Sequence, residues 1–249
     1  MHTHTRHLSV LCLLRSCRRL LWLCCQLGIL CALTTCTVAA PAAGLKTIWQ
    51  IGLADDRADE FALAPQGYKD FIHQDFGWQD RFYLVGRSRP QQDWPYVLPG
   101  PADAWAGSGG LAGARTQVLN ILFDLERCPD PEDWTLVIDV LDTQAPTPPI
   151  FKVTTNGHAH SVQLAPGSKA AVLDGQTQGC TEQIITVKLR PSMVRQGGNH
   201  IELTSIQGSW LVFDQVRLEG PVGAKLGPVR PVFIREVKAA QYEVTHKGK

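Results

Sequence analysis

The chain has 249 residues, with 24 Lys and Arg against 23 Asp and Glu. Four of the basic residues and none of the acidic ones lie within residues 1–42, which leaves 20 positive against 23 negative charges, a net of −3. A domain without a basic excess lacks the electrostatic footprint of a nucleic-acid binder, so no nucleic-acid partner is expected.

The N-terminal segment reads as an address. Arg6, Arg15, Arg18 and Arg19 precede an uncharged run from Leu20 to Ala40, followed by Pro41-Ala42-Ala43-Gly44. A positive start, an apolar centre and small residues at the exit describe a secretory signal, with Ala40-Pro41-Ala42 placing cleavage before Ala43. The uncharged run is also long enough to persist as an N-terminal anchor, the sole route to a membrane. Leu33-Thr34-Thr35-Cys36 loosely matches a lipoprotein box, although Thr35 stands where Gly or Ala is usual. Export is expected in each case, to the medium, periplasm or cell surface.

Six of the eight cysteines fall in this leader, leaving Cys128 and Cys180. In an exported chain these two are candidates for one disulfide. They are not a metal site, because no C-x-x-C or neighbouring histidine pattern surrounds them.

The residues beyond the leader suffice for one domain, expected over 45–220, with 221–249 a tail or the start of a truncated further module. From Asp55 to Gly113 strand patterning is confined to Arg81–Val85, yet Phe61, Tyr68, Phe71, Phe76, Trp78, Phe82, Tyr83, Trp94, Tyr96 and Trp105 crowd the segment. Disordered segments are poor in aromatics, so this excursion is expected to be ordered. Its densest part is Asp93–Trp105, where three prolines and a glycine forbid a helix or a central strand. Rings beside short carboxylates suit sugars, the ring taking the apolar sugar face and polar groups the hydroxyls. On this reading Trp78, Trp94, Tyr96 and Trp105 stack. Asp93 and Asp103, with Arg87 and Arg89, contact hydroxyls or the acidic groups of a pectin-like chain. The alternative is that the rings plug one end of the fold.

Strand signals dominate after the excursion. Thr116–Leu125 and Trp134–Leu141 are apolar and β-branched, and Trp134, Val137 and Phe213 are candidate core residues. Phe151–Thr155 and His158–Leu164 flank Asn156-Gly157, the strongest short hairpin signal because both positions accept positive φ. Gln183–Leu189, His200–Ser205 and Ser209–Glu219 complete the set, with one helical turn expected over Pro191–Gln196 before Gly197-Gly198. Short strands at regular spacing predict an all-β fold, a two-sheet antiparallel sandwich with a long aromatic loop.

Several segments carry a family resemblance: Ile48-Trp49-Gln50-Ile51-Gly52, Asp59-Glu60-Phe61-Ala62-Leu63-Ala64-Pro65, the Asp93–Trp105 loop, and Val153-Thr154-Thr155-Asn156-Gly157-His158. Gly198-Asn199-His200-Ile201-Glu202-Leu203-Thr204 and Phe213-Asp214-Gln215-Val216-Arg217-Leu218-Glu219 complete the series. In this order they resemble domain III of rhamnogalacturonan lyase, polysaccharide lyase family four, a galactose-binding-like jelly roll. The resemblance implies a carbohydrate-binding module for polysaccharide, alone or beside a catalytic domain or subunit. The catalytic residues of those lyases belong to a separate domain, so none is carried over. Related jelly rolls also pair an acid near the first strand with an aspartate on the last. That implies a possible structural calcium at Glu60 (or Asp59) and Asp214.

Independent enzyme chemistry is not visible. There is no G-x-S-x-G elbow, no H-E-x-x-H and no phosphate-cradling glycine loop. His158 and His160 share one strand face, a spacing that metals use, but no nearby acid completes a site. Asp55/Asp56 and Asp59/Glu60 sit within one acidic loop, where a solvated face or a hard cation suits them better than glycosidase chemistry.

Overall fold

The computed structural model describes residues 44–228, apart from Asp75, Trp78, Gln79, 108–115, 130–132 and 169–170. The leader and residues 229–249 lie outside the described residues, as does Trp78.

Two sheets face each other. The first runs β1 (Leu45–Gly52), β10 (Leu211–Pro221), β5 (Trp134–Thr143), β8 (Gln183–Leu189), with the short β3 (Val97–Leu98) also on β10. The second runs β11 (Lys225–Leu226), β4 (Val118–Arg127), β9 (Gly197–Gln207), β6 (Ile150–Thr155), β7 (His158–Gln163), with β2 (Arg81–Leu84) also on β4. Every pairing is antiparallel except β2 with β4, which is parallel. The expected two-sheet sandwich is therefore the fold, with one parallel strand added by the excursion.

The core lies between the sheets and follows the period of two. On β5, Trp134, Leu136, Ile138 and Val140 face inward, opposite Leu218, Val216 and Phe213 of β10. Trp134 and Phe213 are core residues as expected. Val137 is buried as well, but an odd position on this strand points to the other face, where it pairs with Arg217 and Thr186. It is buried there, 4% exposed, outside the core cluster.

The Asn156-Gly157 hairpin forms as expected, with Thr155 opposite His158 and φ of 47° and 90° at the two turn residues. Asn156 locks it: Oδ1 accepts from His200 N at 2.9 Å, and Nδ2 donates to Met193 O at 2.9 Å and Asn199 Oδ1 at 2.8 Å. The expected helical turn shortens to a 3-10 turn at Pro191–Met193, since β9 takes over from Gly197.

The expected pairing of Cys128 with Cys180 is not formed here. Their Sγ atoms lie against Val194 O at 3.9 Å and Gln176 O at 3.8 Å. Val194 follows β8 and Gln176 precedes it, so the thiols lie toward opposite ends of a seven-residue strand. Such a strand spans roughly 23 Å, whereas a disulfide needs Cα atoms within about 7 Å.

Candidate functional site

The aromatic loop turns inward. A single helical turn, α1 (Pro90–Asp93), delivers the chain to Trp94, and Asp93 Oδ2 accepts from Arg89 N at 2.9 Å to close that turn. Trp94 is 0% exposed, with its ring 5.4 Å from Phe213 and 5.8 Å from Tyr83. Tyr96 is 1% exposed, and its Oη donates to Leu173 O at 2.8 Å. Burial pushes the Tyr96 hydroxyl above its ordinary range. Backbone bonds seat the segment on the last long strand, with Phe213 N donating to Tyr96 O at 2.9 Å.

Asp103 ties down the far end of the loop. It is buried, and its Oδ2 accepts from Gly100 N at 2.8 Å while Oδ1 accepts from Ser209 Oγ at 2.5 Å. Gly100 is required at this crossing, because a Cβ would collide with the carbonyl oxygens of Gly208 and Ser209. Trp105 is half-buried, edge-on to Tyr68 at 5.3 Å and to Phe71 at 5.7 Å.

These positions correct the sugar-contact assignment for three residues, two stacking rings and one hydroxyl-binding carboxylate. Trp94, Tyr96 and Asp103 are inside, where no sugar reaches them, because the loop folds over the end of the sandwich. Arg87 and Arg89 are exposed, and Asp93 is partly exposed although its carboxylate caps α1. Of the predicted rings, Trp105 keeps part of its surface and Trp78 lies outside the described residues.

Glu60 and Asp214 also serve the backbone. Glu60 Oε1 accepts from Leu53 N at 2.7 Å, and Asp214 Oδ1 from Arg57 N at 3.1 Å. Burial, then the neighbouring Asp139, raises the Asp214 carboxyl to about 8. Among the described residues no group of three or more His, Cys, Asp or Glu side chains is arranged to hold a metal ion.

The exposed ring is elsewhere. Phe82 of β2 is 48% exposed and is the one aromatic among the exposed large apolar side chains of the described residues. Its strand alternates, Tyr83 and Val85 pointing into the core and Phe82 away from it. The pairings place Phe82 opposite Asn120, Asn120 opposite Glu202, and Glu202 opposite Thr154. These four residues form one transverse row on the outer face of the second sheet. Three strand spacings of about 4.8 Å make the row roughly 14 Å long. His200 stands in the next row, its Nε2 2.8 Å from Asn120 Oδ1 and its Nδ1 3.7 Å from Glu202 Oε1. Asn120 Nδ2 donates to Arg81 O at 3.0 Å, tying the parallel strand to this network. Asn120 is fully buried within this row and the His200 and Glu202 side chains are only about a fifth exposed, so Phe82 is its solvated ring and the polar groups flank it from partly covered positions.

The family model described as polysaccharide lyase family 4, domain III, CBM-like, matches residues 47–218. The chain belongs to this family. The match starts within β1 and ends within β10, so it spans both sheets and the excursion. No curated protein matches the sequence.

Among solved structures, the domain is similar to a family 35 carbohydrate-binding module from an environmental isolate. The two are 12% identical with a TM-score of 0.33, over 46% of this chain and 73% of that one. It is also similar to the family 35 module of Cellvibrio japonicus Abf62, 18% identical with a TM-score of 0.30 over the same shares. A third is the cycloalternan-forming enzyme of Listeria monocytogenes, 19% identical with a TM-score of 0.27. There the match covers 40% of this chain and 8% of that one.

Proposed function

We propose that this domain is exported and binds plant-type or pectic polysaccharide without turning it over. Its contact surface on this reading is the outer face of the second sheet. Phe82 stacks on the apolar face of a sugar, and Glu202, His200 and Thr154 meet its hydroxyls. Membership of a carbohydrate-binding-module-like family supports the ligand class. The observation that carries the choice of surface is Phe82, half-exposed and in register with a polar row. Arg87 and Arg89, exposed just beyond β2, extend the surface toward acidic groups of the same chain. The leader arginines and apolar run support export.

The test is affinity electrophoresis of the mature protein in gels carrying pectic polysaccharide, neutral galactan or no glycan, alongside an assay for unsaturated uronic products. Retardation without product formation is expected. Unretarded migration in every gel would refute the binding reading, and product formation would refute the non-catalytic one. N-terminal sequencing of the mature species is expected to begin at Ala43. An intact Met1 on a soluble cytoplasmic protein would refute export.

A further inference from the structure

The sandwich is open along one side, between β7 and β8. Each ends its sheet and is paired on one flank only. The register sets His158 opposite Thr155 and His160 opposite Val153. Paired residues share a face, so both imidazoles point toward the gap between the sheets, where other strands carry core residues. Both are exposed.

The resulting cleft has a volume of about 340 Å³, near the lower end of the range of ligand sites. Val153, Val187 and Leu189 form its apolar floor. His158, His160, Lys188 and Arg190 line its mouth, and none of the described lining residues is acidic. One polar atom at the base is left over. Thr155 is 1% exposed, and its Oγ1 has no hydrogen-bond partner among the described residues. A buried hydroxyl without a partner costs about 1–3 kcal/mol, which an acceptor lodged at the base of the cleft would offset. The rim is preorganised, since Asn156 bonds to Met193, Asn199 and His200.

We propose that this cleft is a second binding site that takes a carboxylate-bearing sugar unit. Val187 and Leu189 cover the apolar face of the ring, Thr155 Oγ1 donates at the base, and Lys188 and Arg190, which alternate with them along β8 and just past its end, reach over the open edge to the carboxylate. Two cations and no acid among the described lining residues favour an acidic ligand. The assignment rests on the polysaccharide reading above, but it uses a different surface from the Phe82 row.

The experiment is titration calorimetry of the mature protein with polygalacturonate, its fully methyl-esterified form, neutral galactan and sulfated galactan. The wild type is expected to bind polygalacturonate at least about tenfold more tightly than the ester, because charge-assisted bonds are roughly twice as strong as neutral ones. Lys188→Ala/Arg190→Ala should abolish that preference and bring both forms to the level of the ester. Thr155→Val should lower binding of polygalacturonate while leaving Tm unchanged or raised, since it removes an unpaired buried hydroxyl. Lys46→Gln, an exposed charge on β1, should change neither. An acid preference that survives the double variant, or is lost equally in Lys46→Gln, overturns the cleft while leaving the polysaccharide reading intact. Equal, variant-sensitive binding of sulfated galactan overturns the carboxylate assignment. Absence of binding to all four glycans overturns both readings together.

Discussion

Residues 93–105 and the row from Phe82 to Thr154 are built from similar parts, rings beside carboxylates and short polar groups. The first set folds inward: Trp94 packs on Phe213 and Tyr83, and Asp103 satisfies Gly100 and Ser209. The second set lies on a strand face, and Phe82 stays half in solvent. The difference comes from what each backbone must satisfy. A proline-rich loop has few ladder bonds of its own, so it is held by burying rings and spending its carboxylate on backbone donors. Strand β2 has its backbone bonds from β4, and the outward ring is therefore surplus to folding. Side chains that the fold does not need are the ones available for a ligand.

The sharpest way to break this comparison is to remove the ring that the fold is said to need. Trp94→Ala should destabilise the protein by about 3–5 kcal/mol in denaturant unfolding, the usual cost of deleting a buried Trp or Phe. A change near zero would return Trp94 to the list of candidate stacking residues.

The next effect is one of pH. Burial, reinforced by Asp139, raises Asp214 from its ordinary 3.8 to about 8, and burial, reinforced by Glu182, also raises Asp139. Between those values the folded state holds more protons than the unfolded one, so stability should fall as pH rises from about 4 to about 8. Asp214→Asn should flatten this decline, as read from Tm across that range. Tm at pH 8 should not respond to a calcium chelator; a drop would show that Glu60 and Asp214 do ligate a cation.

A smaller loss is expected at the loop's far end. Asp103→Ala leaves Gly100 N and Ser209 Oγ without their acceptor and should cost about 1–3 kcal/mol. Phe82→Ala should have the smallest effect on stability, within about 0.5 kcal/mol, as surface positions usually do.

Much of the fold was legible because the strands carry their own signals. Asn156-Gly157 specifies a two-residue turn, and Thr135–Val140 is apolar and β-branched enough to define a central strand. The parity of Val137 was legible too, since Trp134 and Val137 are three apart and cannot share a strand face. The burial of Trp94 and Tyr96 was not legible. Three prolines dictate a stiff loop, but whether it folds over the sandwich depends on Phe213 and Leu173, more than 70 residues away in sequence. Phe82 was missed for a related reason. The Arg81–Val85 pattern was readable as a strand, yet its attachment to β4, and hence the outward face of Phe82, is a long-range fact. The cysteines failed likewise, since spacing cannot reveal that β8 separates them.

The central claim is that the ligand surface is the strand face and not the aromatic loop. It is tested most directly by titrating a retained pectic polysaccharide into Phe82→Ala beside the wild type, with unfolding curves for both. The account predicts unchanged stability and a loss of affinity of about tenfold or more, because a few anchor residues carry most of the energy of a binding site. Undiminished affinity in a folded Phe82→Ala protein would contradict it.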